Sequence, residues 1–168
     1  VLRCLSSLNA NNLLKPFKWN ICGEGLQLEE LKENIKKLNL SDNVFLVGKI
    51  NGNLKQKFLE SSDVFVMPSY KVNNSIEGFG ISYVEAAAYK IPSIAGLDGG
   101  VTDAVIDSKT GWCVDPMNEE NLANVLKEAI NNKNLRQKYG HQAEKNFLKN
   151  FLGVIVLWKL MDAIRTVS

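Results

Sequence analysis

Residues 63–95 read DVFVMPSYKVNNSIEGFGISYVEAAAYKIPSIA. The apolar run Val64–Met67 stops at Pro68-Ser69-Tyr70, a turn, and a polar loop continues from Lys71 to Ile76. Glu77-Gly78-Phe79-Gly80 then opens an apolar, alanine-containing segment, and Ile91-Pro92 leads into a second apolar run, Ser93–Ala95. Both runs are apolar throughout rather than alternating. A helical segment bracketed by two such runs is the pattern of a parallel β-α-β unit whose strands are covered on both faces.

The same alternation extends in both directions. Trp19–Cys22, Val44–Val47 and Trp112–Val114 are further short apolar runs, each ending near Gly, Pro or Asp. Between them, Leu26, Leu28, Leu31, Ile35 and Leu38 recur at three- and four-residue steps, as do Leu122, Val125, Leu126 and Ala129. Repeated β-α units of this length predict one α/β domain over residues 1–168, an open, doubly wound, Rossmann-like parallel sheet with terminal helices. Val1 to Leu14 reads as a helix with no strand before it, so a strand and its loop are expected upstream. In such sheets ligands bind beyond the carboxyl ends of the strands, and the candidate functional residues do follow strands.

Bulk properties narrow the function classes. The 168 residues suffice for one domain with a proper core. A composition of 45% hydrophobic and 23% charged residues is that of an ordinary globular protein. A net charge of +2, with basic residues scattered and no aromatic platform among them, argues against nucleic acid as a partner. Cys4, Cys22 and Cys113 lie far apart with no Cys-x-x-Cys pair, which suggests neither a zinc site nor a disulfide framework, and a reducing, cytoplasmic compartment. There is no Asp-x-Asp and no Walker lysine loop, so no metal and no cofactor is expected. The apolar stretch Phe151–Trp158 is too short to span a bilayer and reads as a packed terminal helix. His141 and Lys133, Lys138, Lys145 and Lys149 read as a solvated helix face.

The segment from Glu77 to Glu85 carries the chemistry. A helix starting near Gly78 to Gly80 presents free amide groups at the strand ends. The glycines let an anion approach the backbone, and the helix dipole favours negative charge, as a diphosphate would supply. Glu77 stands at the mouth of that helix and Glu85 about 8–12 Å along its axis at about 1.5 Å per residue. One end suits a sugar and the other a ribose, whose vicinal hydroxyls a carboxylate can clamp. Glu85 is the only charged residue from Ile81 to Tyr89, and a buried carboxylate there needs a ligand hydroxyl, an amide or a basic side chain as partner. The competing reading makes Glu77 a helix-start acid and Glu85 a satisfied core acid.

Glu-Gly-Phe-Gly-x-x-x-x-Glu-Ala, followed by Ile91-Pro92-Ser93-Ile94-Ala95 and Gly99-Gly100, resembles the donor-binding, C-terminal domain of family-4 (group 1) glycosyltransferases of the GT-B fold, with Glu77 and Glu85 matching the E-x7-E signature. Ile21-Cys22-Gly23-Glu24-Gly25 is similar to the family's V-G-D-G turn and Val44 to Ile50 to its V-x-F-x-G-x-V. Asp63 to Ser69 is similar to A-D-V-F-V-x-P-S, and Thr110 to Pro116 to x-G-L-L-V-x-P. The long loop before Glu77 resembles the phosphatidylinositol-mannoside type of mannosyltransferase.

The resemblance implies a retaining hexosyltransferase that takes a nucleoside-diphosphate sugar as substrate and transfers its sugar to a lipid or glycan. Glu77 would be the catalytic residue, facing the transferred sugar as a contact and electrostatic stabiliser rather than as a nucleophile. Gly78, Phe79, Gly80 and Ile81 would meet the diphosphate and Glu85 the ribose. Gly23 would sit beside phosphate or ribose, the backbone of Lys49 and Ile50 would line the base pocket, and Gly99-Gly100 would lie near the sugar. The family's Gly-Arg-x-x-x-x-Lys-Gly segment has no counterpart here; its usual place is just upstream of Val1. An N-terminal acceptor domain is therefore the expected partner, without which this chain would be inactive, and peripheral association of the full enzyme with the inner membrane face stays open. Lys90 takes the place of the family's common glycine, Asp103 of its glutamate, and Phe151-Leu152-Gly153 departs from its Phe-x-Trp.

Two rival readings keep the same fold. A non-catalytic nucleotide-sugar-binding module would lack the upstream basic loop, and a GT-B epimerase would lack the E-x7-E context. Gly23-x-Gly25-x-x-Leu28 could suggest a dinucleotide fold, but the acid expected after the next strand is replaced by Gly48-Lys49.

Overall fold

A computed structural model of the chain describes residues 1–69, 80–97, 101–151 and 153. In chain order its elements are α1 (Leu2–Ala10), β1 (Trp19–Cys22), α2 (Leu28–Lys37), β2 (Val44–Gly48), α3 (Gly52–Glu60), β3 (Phe65–Met67), α4 (Ile81–Ala88), β4 (Ser93–Gly96), α5 (Val101–Ala104), β5 (Gly111–Val114), α6 (Glu119–Asn131) and α7 (Lys133–Asn150). This is the expected α/β alternation, with all five apolar runs forming strands. The chain divides into two compact units. One holds Val1–Ser62 and Val114–Lys133, the other Asp63–Cys113 and the described residues from Asn134 onward.

In the first unit β1 and β2 pair in parallel, Trp19 opposite Val44 and Ile21 opposite Leu46, with a register shift before Cys22, which lies opposite Gly48. α1 buries Cys4, Leu5 and Leu8, and α6 buries Leu122, Leu126 and Ala129. Asn131 locks the end of α6 to the loop after α1: its side chain donates to the Leu13 carbonyl at 2.7 Å and accepts from the Lys15 amide at 2.8 Å. α2 has Glu29 and Glu30 in its first turn and Lys36 and Lys37 in its last, matching the helix dipole at both ends.

Three expectations are corrected here. The first helix ends at Ala10 rather than Leu14, because Asn12 takes a left-handed φ of 55° and its amide closes back on Asn9. Leu26 precedes α2 and is exposed, so the buried stripe is carried by Ile35 with Leu28, Leu31 and Leu38 at its margins. β1 is not covered on both faces: Asn20 and Cys22 are exposed while Trp19 and Ile21 are partly buried. Four apolar-looking residues have too short a run for hydropathy to separate a one-faced strand from a two-faced one.

The second unit is ordered β3-β4-β5. β3 and β4 are parallel, Phe65 opposite Ser93 and Met67 opposite Ala95, as the 63–95 segment predicts. β4 is buried along its whole length and β5 nearly so. Tyr83, Val84 and Ala87 of α4 share a core with Ala95, Val101, Ala104, Val105, and Ala143, Phe147 and Phe151 of the C-terminal part. Phe151 is thus core, as expected; residues 152 and 154–158 lie outside the described residues. On α7, His141 and the four lysines 133, 138, 145 and 149 are exposed as read, and the opposite stripe of Tyr139, Gly140, Ala143 and Phe147 is buried. Among the described residues no helix is long and apolar enough to cross a membrane.

Candidate functional site

In the second unit the site is built at the junction of β3 and α4. The parallel crossover requires α4 to return beside β3, and Tyr83 ties the two together. Its side chain is 1% exposed, its hydroxyl donates to the carbonyl of Met67, the last residue of β3, and its ring meets Phe65 edge-on at 5.6 Å between centroids. The helix therefore starts where the strand ends. Gly80 is its N-cap, with a left-handed φ of 62° and ψ of 32°, and no side chain caps the helix. That conformation suits glycine. A β-carbon would also come within 3.1 Å of the Tyr83 ring and 3.7 Å of Ala104. Gly80 thus stands one residue before Ile81, the first helical residue, which is exposed.

Glu85 lies on the same helix, half-buried rather than enclosed in the core, and it is not unpaired in the fold. Glu77, Gly78 and Phe79, and likewise Gly99 and Gly100, lie outside the described residues. The end of β4 meets the residue pair after β3 at Gly96, where a β-carbon would stand 1.9 Å from the Ser69 carbonyl oxygen. Gly96 ends β4, one residue beyond the apolar run Ser93–Ala95, and its close approach to Ser69 was not among the expectations. Tyr83, too, was read only as a neighbour of Glu85, and a tyrosine in an otherwise apolar helix is the kind of residue whose hydroxyl must find a partner.

The first unit gathers a second group of predicted residues. The Gly23 amide donates to the Gly48 carbonyl at 2.9 Å, across the carboxyl ends of β1 and β2. Both glycines have positive φ, 152° and 80°, and no atom lies within 4 Å of where a β-carbon would be. Lys49, exposed, and Ile50, half-buried, follow directly. This is open backbone at strand ends, the setting in which α/β sheets bind ligands. Among the described residues no group of three or more His, Cys, Asp or Glu side chains is placed to hold a metal ion.

Parallel strands linked by crossover helices, in each of the two units, define an α/β architecture of the GT-B glycosyltransferase kind. The sequence pattern described as Glycosyl transferases group 1 matches residues 1–146. The chain belongs to that family. It is 30% identical over 146 residues to the poly(ribitol-phosphate) alpha-N-acetylglucosaminyltransferase of Staphylococcus aureus (strain COL), covering 86% of this chain and 28% of that protein. It is 35% identical over 97 residues to a GDP-mannose-dependent alpha-(1-6)-phosphatidylinositol monomannoside mannosyltransferase of Mycolicibacterium smegmatis, covering 56% of this chain and 25% of that one. Among solved structures it superposes on TarM with a TM-score of 0.76 at 28% identity, covering 96% of this chain and 30% of TarM; an S. aureus TarM variant has been solved with UDP. The chain spans about a third or less of the length of these proteins.

Proposed function

We propose that this chain is the donor-binding part of a retaining glycosyltransferase that uses a nucleoside-diphosphate sugar. The observation that carries the reading is the start of α4: a left-handed glycine, no side-chain cap, and Glu85 on the same helix. Unsatisfied helix amides and the dipole suit a diphosphate, and a carboxylate suits the vicinal hydroxyls of ribose. Gly78, Phe79, Gly80 and Ile81 are assigned to the diphosphate, Glu85 to the ribose, and Glu77 and Gly99-Gly100 to the transferred sugar. Gly23 is assigned to phosphate or ribose, and Lys49 and Ile50 to the base. Family membership and the UDP bound to the TarM variant support these assignments.

Chemically, such a site lowers the barrier by stabilising the departing diphosphate with preorganised donors, while Glu77 offsets positive charge growing on the sugar ring. The acceptor and the closure that excludes water are assigned to an N-terminal domain of the same enzyme. The full enzyme is proposed to be cytoplasmic, peripheral at the inner membrane face, and to need no metal or cofactor.

Calorimetric titration of the chain with UDP, GDP and their sugar conjugates tests the reading. Weak binding of one nucleoside diphosphate and little or no turnover are expected. Glu85→Ala should weaken binding by about 10- to 100-fold, the loss of one set of hydrogen bonds to a charged group. Silence at millimolar concentrations of every ligand, or unchanged affinity in Glu85→Ala, overturns it.

A further inference from the structure

We propose that Tyr83 is a positioning residue for the diphosphate, an assignment that rests on the donor-binding reading of α4. Tyr83 acts in both directions along the site. Its hydroxyl is held by the Met67 carbonyl at the end of β3, and its ring borders Gly80, where a β-carbon would come within 3.1 Å of it. Gly80 is the N-cap, and its carbonyl accepts from the Tyr83 and Val84 amides at 2.9 and 3.3 Å. One buried side chain thus sets the height of the first helical turn over the strand end and bounds the space that Gly80 occupies. Its ring is set in turn by the edge-on contact with Phe65.

A tyrosine that served packing alone would need no hydroxyl. Replacing it by phenylalanine keeps the ring in place and removes the hydroxyl's hydrogen bond to Met67. The amides of Gly80, Ile81 and Ser82 would then sample a range of positions, and a ligand that needs them aligned would have to order them on binding. The consequence is lost affinity for the anionic portion of the ligand at nearly unchanged fold. Val84, one residue along and equally buried, provides the contrast. It belongs to the same core, but its side chain has no hydroxyl to bond the Met67 carbonyl.

The test compares Tyr83→Phe with Val84→Ala in the full chain, by titration with UDP and GDP well below the unfolding temperature and by hydrogen exchange of the α4 amides. Tyr83→Phe should weaken nucleoside-diphosphate binding by about tenfold while leaving the nucleoside alone, uridine or guanosine, unaffected. It should also speed exchange selectively over residues 80–84. Val84→Ala should lower the melting temperature without either selective effect. Equal losses in the two variants, or an unchanged exchange rate at residues 80–84 in Tyr83→Phe, overturn the positioning role. If the unmodified chain binds neither nucleotide, the donor-binding reading falls, whereas an intact exchange effect still shows that Tyr83 sets the helix start.

Discussion

Lys90 shows how much a single backbone angle can matter. It follows the C-cap of α4 with a φ of 60°, and the amides of Lys90 and Ile91 donate to the Ala87 and Ala86 carbonyls, both at 3.0 Å. This is the Schellman arrangement, in which the left-handed residue is usually glycine. Asn12 and Asn39 occupy the same place after α1 and α2, with φ of 55° and 53°, and asparagine tolerates that region better than lysine. Lys90 pairs with Glu144 at 3.6 Å through a half-exposed side chain, and such surface pairs contribute little. Lys90→Gly should therefore raise stability by about 0.5–1 kcal/mol, measurable as an increased urea midpoint with an unchanged slope. The sequence had marked this position, since glycine is common there in related proteins, but it could not show that the lysine adopts the glycine conformation.

Among the elements, α6 carries a complete set of start signals. Asn118 caps it, the side chain accepting from the Asn121 amide at 2.9 Å, and Glu119 and Glu120 occupy the first turn. Asn118→Ala should cost about 1 kcal/mol, read as a lowered melting temperature, and Asn118→Asp should largely restore it. α7 is different. Its charged residues suggested a solvated face, yet Gly140 is buried where a β-carbon would stand 2.0 Å from the Lys90 carbonyl oxygen, and Tyr139 packs edge-on against Trp112 at 5.0 Å. The solvated face of α7 was legible in the sequence. Its buried stripe of Tyr139, Gly140, Ala143 and Phe147 was not, because the segments it packs against, Trp112 and the Lys90 backbone among them, lie far earlier in the chain. The five strands were legible because their apolar runs are short and sharply ended; the half-exposed β1 was misread for the same brevity.

At the scale of the whole molecule, the half-buried thiol of Cys113 links stability to pH. Desolvation, reinforced by the charge of Asp107, pushes its pKa from 9.0 up to about 11. The folded state therefore holds a proton that the unfolded chain releases. This contribution is fully present below about pH 9 and declines as pH rises towards about 11. Unfolding free energies measured by urea between pH 8 and 11 should fall more steeply for the native sequence than for Cys113→Ala; parallel curves would refute the linkage.

The sequence by itself determined the order of strands and helices, the parallel crossover across residues 63–95, and membership of the group 1 glycosyl transferases, because hydrophobic period and motif spacing are written among near neighbours. Tertiary structure alone decided that Tyr83 ties α4 to Met67, that Gly80 caps that helix in a left-handed conformation, and that Gly96 and Gly140 admit another stretch of backbone. Each of these is a close approach between segments brought together only by packing, and no local period records where two backbones will touch.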